Sequence, residues 1–331
     1  MSLELLDRTN GMLGLTLACA LLALASVAAH AQSYPTKPLR MIVPLPPGST
    51  GDAVARMVAE NLRQGIGQSV VVDTRAGASG QIGVGAVVRS APDGYTIMLA
   101  SVGPITINPA VYGAKLGFDP VTDLAPITQV ANTTSVLLIH PSLPVHNVKE
   151  LVDLAKARPG ELYYSSAGNT SITNFNVALL ASMTGIKLTH VPYKGSTQGL
   201  IAVASGECQL MMTGWINALP LSKPGKVRLI AVVSAERIPI APELPAIGET
   251  VPGYESEQWY GVFAPAGTPQ AIISLLNTEI VKSLQTPESK SWFARGGAVP
   301  VGNTPEQFAA RIKAESAKWT KLARELGAKP E

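Results

Sequence analysis

The stretch VPLPPGSTGD, residues 43–52, ends an apolar run, Leu39-Arg40-Met41-Ile42-Val43, on three prolines and a Gly-Ser-Thr-Gly turn closed by Asp52. A helical pattern follows at once. Val54, Met57, Val58 and Leu62 share one face, and Gly65 stands just past them as a stop signal. A strand that stops this abruptly against small hydroxyl residues has two readings. Ser, Thr and Asp are the preferred N-caps of any helix, and Asp52 suits that role. A helix N-terminus kept bare also offers free N–H groups and a positive dipole end on which an anion can sit.

The same alternation continues along the chain. Strand-like runs are expected at Leu39–Pro44, Ser69–Asp73, Tyr95–Ser101, Ser135–His140, Leu162–Ser166, Lys187–Val191, Cys208–Thr213 and Val227–Val233. Helical windows lie between them. Asn147 with Glu150 has the spacing of a capping box, and Ile172, Phe175, Leu179 and Met183 form an apolar stripe ending at Gly185. After about residue 268 the pattern becomes helical. Such β-α alternation argues for α/β domains with parallel sheets, in which ligands bind at the carboxyl ends of strands.

Three strand-to-helix junctions share a composition: Gly48-Ser49-Thr50-Gly51-Asp52, Ser165 to Ser171, and Lys194-Gly195-Ser196-Thr197. Each puts glycine and hydroxyl side chains at the start of a helix. Ordinary capping accounts for any one of them. Three together, with few charges among them, point to a cleft for a small anion. The glycine series GASGQIGVG, residues 77–85, has the spacing GxxGxxGxG rather than the GxGxxG of a dinucleotide site, which favours a turn or packing role.

Enzyme constellations are sparse. No GxSxG elbow occurs, and GASGQ around Ser79 fails at its last position. No HxxxH or HExxH spacing is present, and the cysteines are too few for a zinc cluster, so neither a metal site nor a cofactor is expected. A serine–histidine pair assembled only by folding stays open. Trp215, in TGWINALP, reads either as core or as the wall of a cleft.

The first 31 residues read as an export signal. Gly11 to Ala29 is almost wholly apolar, and Ala29-His30-Ala31 is a small-x-small cleavage pattern. A membrane anchor is the alternative, but the stretch is short for one and no basic cluster follows it. Glu4 and Asp7 beside Arg8 depart from the usual basic start. Cys19 lies inside the apolar stretch rather than at its end, which argues against lipidation. That segment holds one of the 26 basic and two of the 23 acidic residues, so the remainder has a net charge of about +4. No run of Lys or Arg exceeds a pair, which argues against a nucleic-acid partner. Only Cys208 remains after cleavage, so no internal disulfide is expected.

The segments YPTKPLRMIVPLPPGSTGD, GQSVVVDTRAGASGQIG, APDGYTIMLAS, LVDLAKARPGELYYSSAGNTS, HVPYKG, PGYESEQWYGVFAPAGTP and TPEQFAARIKAESAKW occur in an order that resembles the Bug family. These are periplasmic solute receptors of tripartite tricarboxylate transporters. The resemblance spans nearly the whole chain after the export signal. It implies a two-lobed α/β periplasmic-binding-protein fold with two crossover segments, near QVANTTSV and SEQWYGVF, and a ligand cleft between the lobes. Lobe one would comprise residues 34–132 and 257–331, and lobe two residues 133–256.

By the same resemblance the cleft would be lined by Leu45, Gly48, Ser49 and Thr50 from lobe one and by Ser166, Gly168, Asn169, Thr170 and Ser171 from lobe two. Ser101, Thr213 and Trp215 would form its walls. A small aliphatic or aromatic carboxylate is the implied ligand, membrane subunits of a transporter are the implied partners, and a monomer is the default. Several positions depart from the family pattern. Leu45, Pro46 and Ser49 replace an aromatic, an alanine and a glycine. Asn174 and Ala178 replace a histidine and a glutamate. Ala202 replaces an aspartate, and Met212-Thr213 stand for a frequent Phe-Asp. The loss of these ionisable side chains disfavours a ligand ammonium group and hence an amino acid. A sensor docking a signalling receptor, and a secreted hydrolase on the same scaffold, are the alternative functions.

Overall fold

A computed structural model describes residues 34–329, so the expected export signal at residues 1–31 lies outside the described residues. Residues 34–37 are an irregular segment, and the body of the protein begins at Pro38. In chain order its elements begin β1 (Leu39–Val43), α1 (Thr50–Ile66), β2 (Val70–Thr74), α2 (Gln81–Val88), β3 (Thr96–Ser101), α3 (Asn108–Tyr112) and β4 (Leu124–Thr133). Next come β5 (Ser135–Ile139), α4 (Val148–Ala157), β6 (Tyr163–Ser166), α5 (Ile172–Thr184), β7 (Thr189–Pro192), α6 (Ser196–Ala204), β8 (Leu210–Gly214), α7 (Trp215–Ser222), β9 (Arg228–Val232) and α8 (Ile247–Thr250). The chain closes with β10 (Gln258–Pro265), α9 (Gln270–Leu284), α10 (Pro287–Arg295), β11 (Ala298–Pro300) and α11 (Pro305–Glu325).

The strands form two sheets, ordered β11-β4-β10-β3-β1-β2 and β7-β6-β8-β5-β9. The chain passes between them twice, at Thr134 and over residues 251–257. This is the two-lobed α/β arrangement, and all eight expected strands are present within a residue or two of their expected bounds. Two expectations need correction. The sheets are mixed rather than parallel, because β10 runs antiparallel to both β3 and β4, and β5 antiparallel to both β8 and β9. The chain after residue 268 is not wholly helical, since β11 pairs with β4.

Alternation along β5 shows how the second sheet is covered on both faces. Leu137 and Ile139 join a core with Leu151, Val177 and Leu180 of α4 and α5, whereas Val136 and Leu138 face Leu200 and Val203 of α6. The first sheet packs Ile42, Met98, Trp259 and Phe263 against Val84 of α2 and Phe308 and Trp319 of α11. The apolar stripe of α5 holds for Ile172, Phe175 and Leu179 but not for Met183, which is exposed at the helix end.

The glycine series plays the packing role. Gly80 has φ +91°, and a Cβ there would lie 2.7 Å from Pro104 Cγ and 3.1 Å from the Pro44 carbonyl oxygen. At Gly83 a Cβ would meet Pro44 Cβ at 2.7 Å. The turn that ends β1 and the start of α2 therefore interlock. Replacing Gly80 by alanine combines left-handed strain with a clash against ring and backbone, so denaturant unfolding should show a loss of about 2 kcal/mol or more. Gly67→Ala, also at positive φ but in open space, should lose about 1 kcal/mol.

Candidate ligand-binding cleft

Between the sheets lies a cleft of about 1740 Å³, and the N-terminal ends of three helices border it: Thr50 of α1, Ile172 of α5 and Ser196 of α6. These are the three junctions singled out by composition. At the first, Ser49 is the N-cap and its Oγ accepts from the Asp52 N–H at 3.3 Å, while Asp52 Oδ2 accepts from the Gly48 N–H at 3.0 Å. Asp52 thus caps the turn from the helix's third position. Burial pushes its carboxyl up, but the Arg56 side chain and the Gly48 N–H outweigh this and hold its pKa below the usual value. Asp52 is outside the cleft lining. The first-turn N–H groups of Thr50 and Gly51 have no intrahelical acceptor.

At the second junction Ser171 is the N-cap of α5. Its Oγ accepts from the Asn174 N–H at 3.3 Å and donates to the Gly168 carbonyl at 2.7 Å. Two polar chains hold the loop between β6 and α5 from behind. In one, Tyr164 Oη donates to Asn174 Oδ1 and Asn174 Nδ2 donates to the Asn169 carbonyl, each at 2.7 Å. In the other, His190 Nε2 lies 2.6 Å from Ser166 Oγ, which accepts from the Gly168 N–H at 3.1 Å. His190 stacks on Tyr164 with centroids 4.8 Å apart. Folding does assemble a serine–histidine pair, but Ser166 is fully buried and off the cleft lining, so the pair shapes the loop.

Leu45, Gly48, Ser49, Thr50, Ser101, Gly168, Asn169, Thr170 and Ser171 all line the cleft. Ser166 does not. Thr213 and Trp215 instead border a smaller recess of about 160 Å³, which shares Thr50, Ser196 and Gln258 with the cleft. Trp215 Cδ1 lies 2.7 Å from where a Cβ of Gly297 would be, so its indole also packs against that turn. Asn174, Ala178, Ala202 and Met212 are buried and absent from the cleft lining.

The sequence reading missed several lining residues. Ser79, at φ +53°, accepts at its Oγ from Thr170 Oγ1 at 3.1 Å, a hydrogen bond from one side of the cleft to the other. Asn108 Nδ2 donates to the Ser79 carbonyl at 2.7 Å and holds this strained turn. Among the described lining residues the charged side chains are Lys194 and Arg295, both cations. The glycines around Ser79 were a legible signal of a special turn; nothing local marked Arg295.

His190 offers a test of the loop support. Burial lowers its pKa from the ordinary 6.5. As pH falls below that value, the unfolded chain takes up a proton that the folded protein refuses, so stability falls down to the folded pKa. His190→Gln keeps a donor for Ser166 but cannot titrate. It should flatten the fall in melting temperature as the pH drops below about 7, relative to the unmodified protein.

Comparison with known proteins agrees with this fold. Residues 54–328 match the family described as tripartite tricarboxylate transporter family receptor. Protein BugT of Bordetella pertussis is 35% identical over 312 residues, covering 93% of this chain and 95% of that one. A solved structure described as R. palustris Rpa4515 with adipate is 36% identical with a TM-score of 0.80, covering 90% of this chain and 100% of that one. The periplasmic binding protein BugD is 30% identical with a TM-score of 0.76 over 90% of this chain and 100% of its own. This chain belongs to the tripartite tricarboxylate transporter receptor family of periplasmic solute-binding proteins.

Proposed function

We propose that the protein binds a small dicarboxylate in this cleft and delivers it to the membrane subunits of a tripartite transporter. One observation carries the reading. Three helix N-termini and two cations, Lys194 and Arg295, border the cleft, and no carboxylate is among its described lining residues. Positive ends and cations with no negative side chain on the cleft lining itself favour a ligand bearing more than one negative charge. The similarity to a receptor solved with adipate, itself a dicarboxylate, supports this class.

In this reading the loops at Gly48–Thr50 and Gly168–Ser171 hold one carboxylate through N–H and hydroxyl groups. Lys194 and Arg295 attract the other, and Leu45 packs on the carbon chain. Ser101 forms part of the wall, and Ser166 acts only by holding the loop. The lobes, residues 34–132 with 257–331 and residues 133–256, close on the ligand in the periplasm as a monomer. Closure shifts by no more than the ligand's differential affinity for the open and closed states.

A thermal-shift screen with aliphatic and aromatic mono- and dicarboxylates and acidic amino acids tests the reading. Ligand at a hundredfold excess over Kd adds about 2.7 kcal/mol of stability, which raises the melting temperature by several degrees. The shift should be confined to dicarboxylates, and Lys194→Met with Arg295→Met should weaken binding about fivefold or more. No shift with any carboxylate, from folded protein, refutes the proposal. Delivery predicts that cells lacking the receptor lose uptake of that compound and regain it on complementation.

A further inference from the structure

Helix α5 is gripped at its middle and touched at both ends. Asn176 is the grip: its carbonyl accepts from Tyr254 Oη at 3.1 Å, and its Oδ1 accepts from Ser256 Oγ. Both donors lie on the second passage between the sheets, residues 251–257. That passage is bound by α11 as well, where Lys318 Nζ donates to the Glu255 carbonyl at 3.1 Å and Arg311 Nη2 to Glu257 Oε2 at 2.8 Å. Phe175, next to Asn176, meets Trp319 of α11 edge-on. The passage, α5 and α11 are thus joined at the level of Asn176, where a rotation of one half on the other displaces the helix least.

To one side of that point α5 runs to the cleft. Ile172 lines it, and Thr170 in the loop ahead donates to Ser79 Oγ at 3.1 Å. To the other side, about 9 Å along the axis from Asn176, Ser182 Oγ donates to Glu325 Oε2 of α11 at 3.1 Å. Ser79 and Glu325 both belong to the half built on the first sheet, so the two ends of α5 lean on the same partner. The ends differ in setting. Thr170 is buried, whereas Ser182 and its neighbour Met183 are exposed, as is Leu326 next to Glu325. A stiff rod held at its middle and touching one partner at both ends moves so that pressing one end down lifts the other.

We infer that α5 is a lever pivoted at Asn176, and that the contact of Ser182 with the end of α11 sets ligand affinity from outside the cleft by opposing closure. This rests on the reading that the two halves close on a ligand. Opening the cleft presses Ser182 towards Glu325, and closing it draws them apart. A side chain too large for the gap at Ser182 therefore favours the closed state, and loss of the Ser79 hydroxyl favours the open one. Apparent affinity scales with the fraction of protein in the binding-competent state, so a change at Ser182 reaches a ligand it never touches.

Ser182→Trp and Ser79→Gly test the lever. Spin labels at Ile82→Cys and Ile201→Cys, exposed positions on α2 and α6 in opposite halves, report the separation of the halves without ligand, and Cys208 is buried away from the label. Ser182→Trp should move the ligand-free distance distribution to shorter separation. Calorimetry with succinate, glutarate and adipate should show whichever binds doing so about threefold more tightly. Its melting temperature should change by no more than about two degrees, because the position is exposed. Ser79→Gly should move the distribution the other way, and the double variant should lie between the two. An unchanged or longer separation in Ser182→Trp overturns the lever, whatever the ligands do. A shorter separation with unchanged affinity overturns the claim that this contact sets binding. A shorter separation with no binding of any dicarboxylate supports the lever and overturns the dicarboxylate reading.

Discussion

Helix α5 is packed into two cores at once, and the cleft depends on that. Val177 and Leu180 belong to the core of the second sheet. Phe175, fully buried, belongs to the core of the first, where it meets Trp319 edge-on with centroids 5.8 Å apart. Residues 173–178 of the helix are all buried, so the polar side chains among them must be bonded internally. Asn174 is bonded to Tyr164 and Asn169, and Asn176 to Tyr254 and Ser256. The loop at the N-terminus of α5 is thereby located with respect to both sheets, and Thr170 reaches Ser79 across the cleft.

Much of the fold was legible in sequence because β-branched runs bounded by glycine and proline mark strands through local patterning alone. The strands that escaped notice lack that signature for physical reasons. β4 contains Pro126 and the polar Thr128, Gln129 and Asn132. β10 is interrupted by Gly261, which is required because the Phe308 ring occupies the space of a side chain there. β11 is three residues long. Strand direction was also illegible. β10 arrives from the far end of the chain and inserts antiparallel between β3 and β4, a pairing set by tertiary packing and not by the alternation of neighbours.

The site divides the same way. Helix ends with glycine and hydroxyl residues can be read locally, and the junctions at Gly48–Thr50 and Gly168–Ser171 do line the cleft. What could not be read is which side of a strand end a residue takes. Ser166 looks like a ligand contact by composition, yet its hydroxyl turns inward to His190. Asn174 looks like a vacated ligand position by family pattern, yet it holds a carbonyl of the loop in front of it. Lys194 and Arg295 lie 101 residues apart in sequence, and only the folded chain brings both to one cleft.

The place of β10 has a consequence for how the protein comes into being. Because β10 sits between β3 and β4, the first sheet is split into two unjoined parts until residues 258–265 exist. Trp319, which covers Phe175, is made later still. A chain synthesised from its N-terminus therefore carries an open strand edge and an uncovered aromatic through nearly half of its synthesis. Its second sheet, drawn from residues 135–232 without interruption, can form earlier. The nascent protein is half-built for most of its length, and its last seventy-odd residues complete the other half.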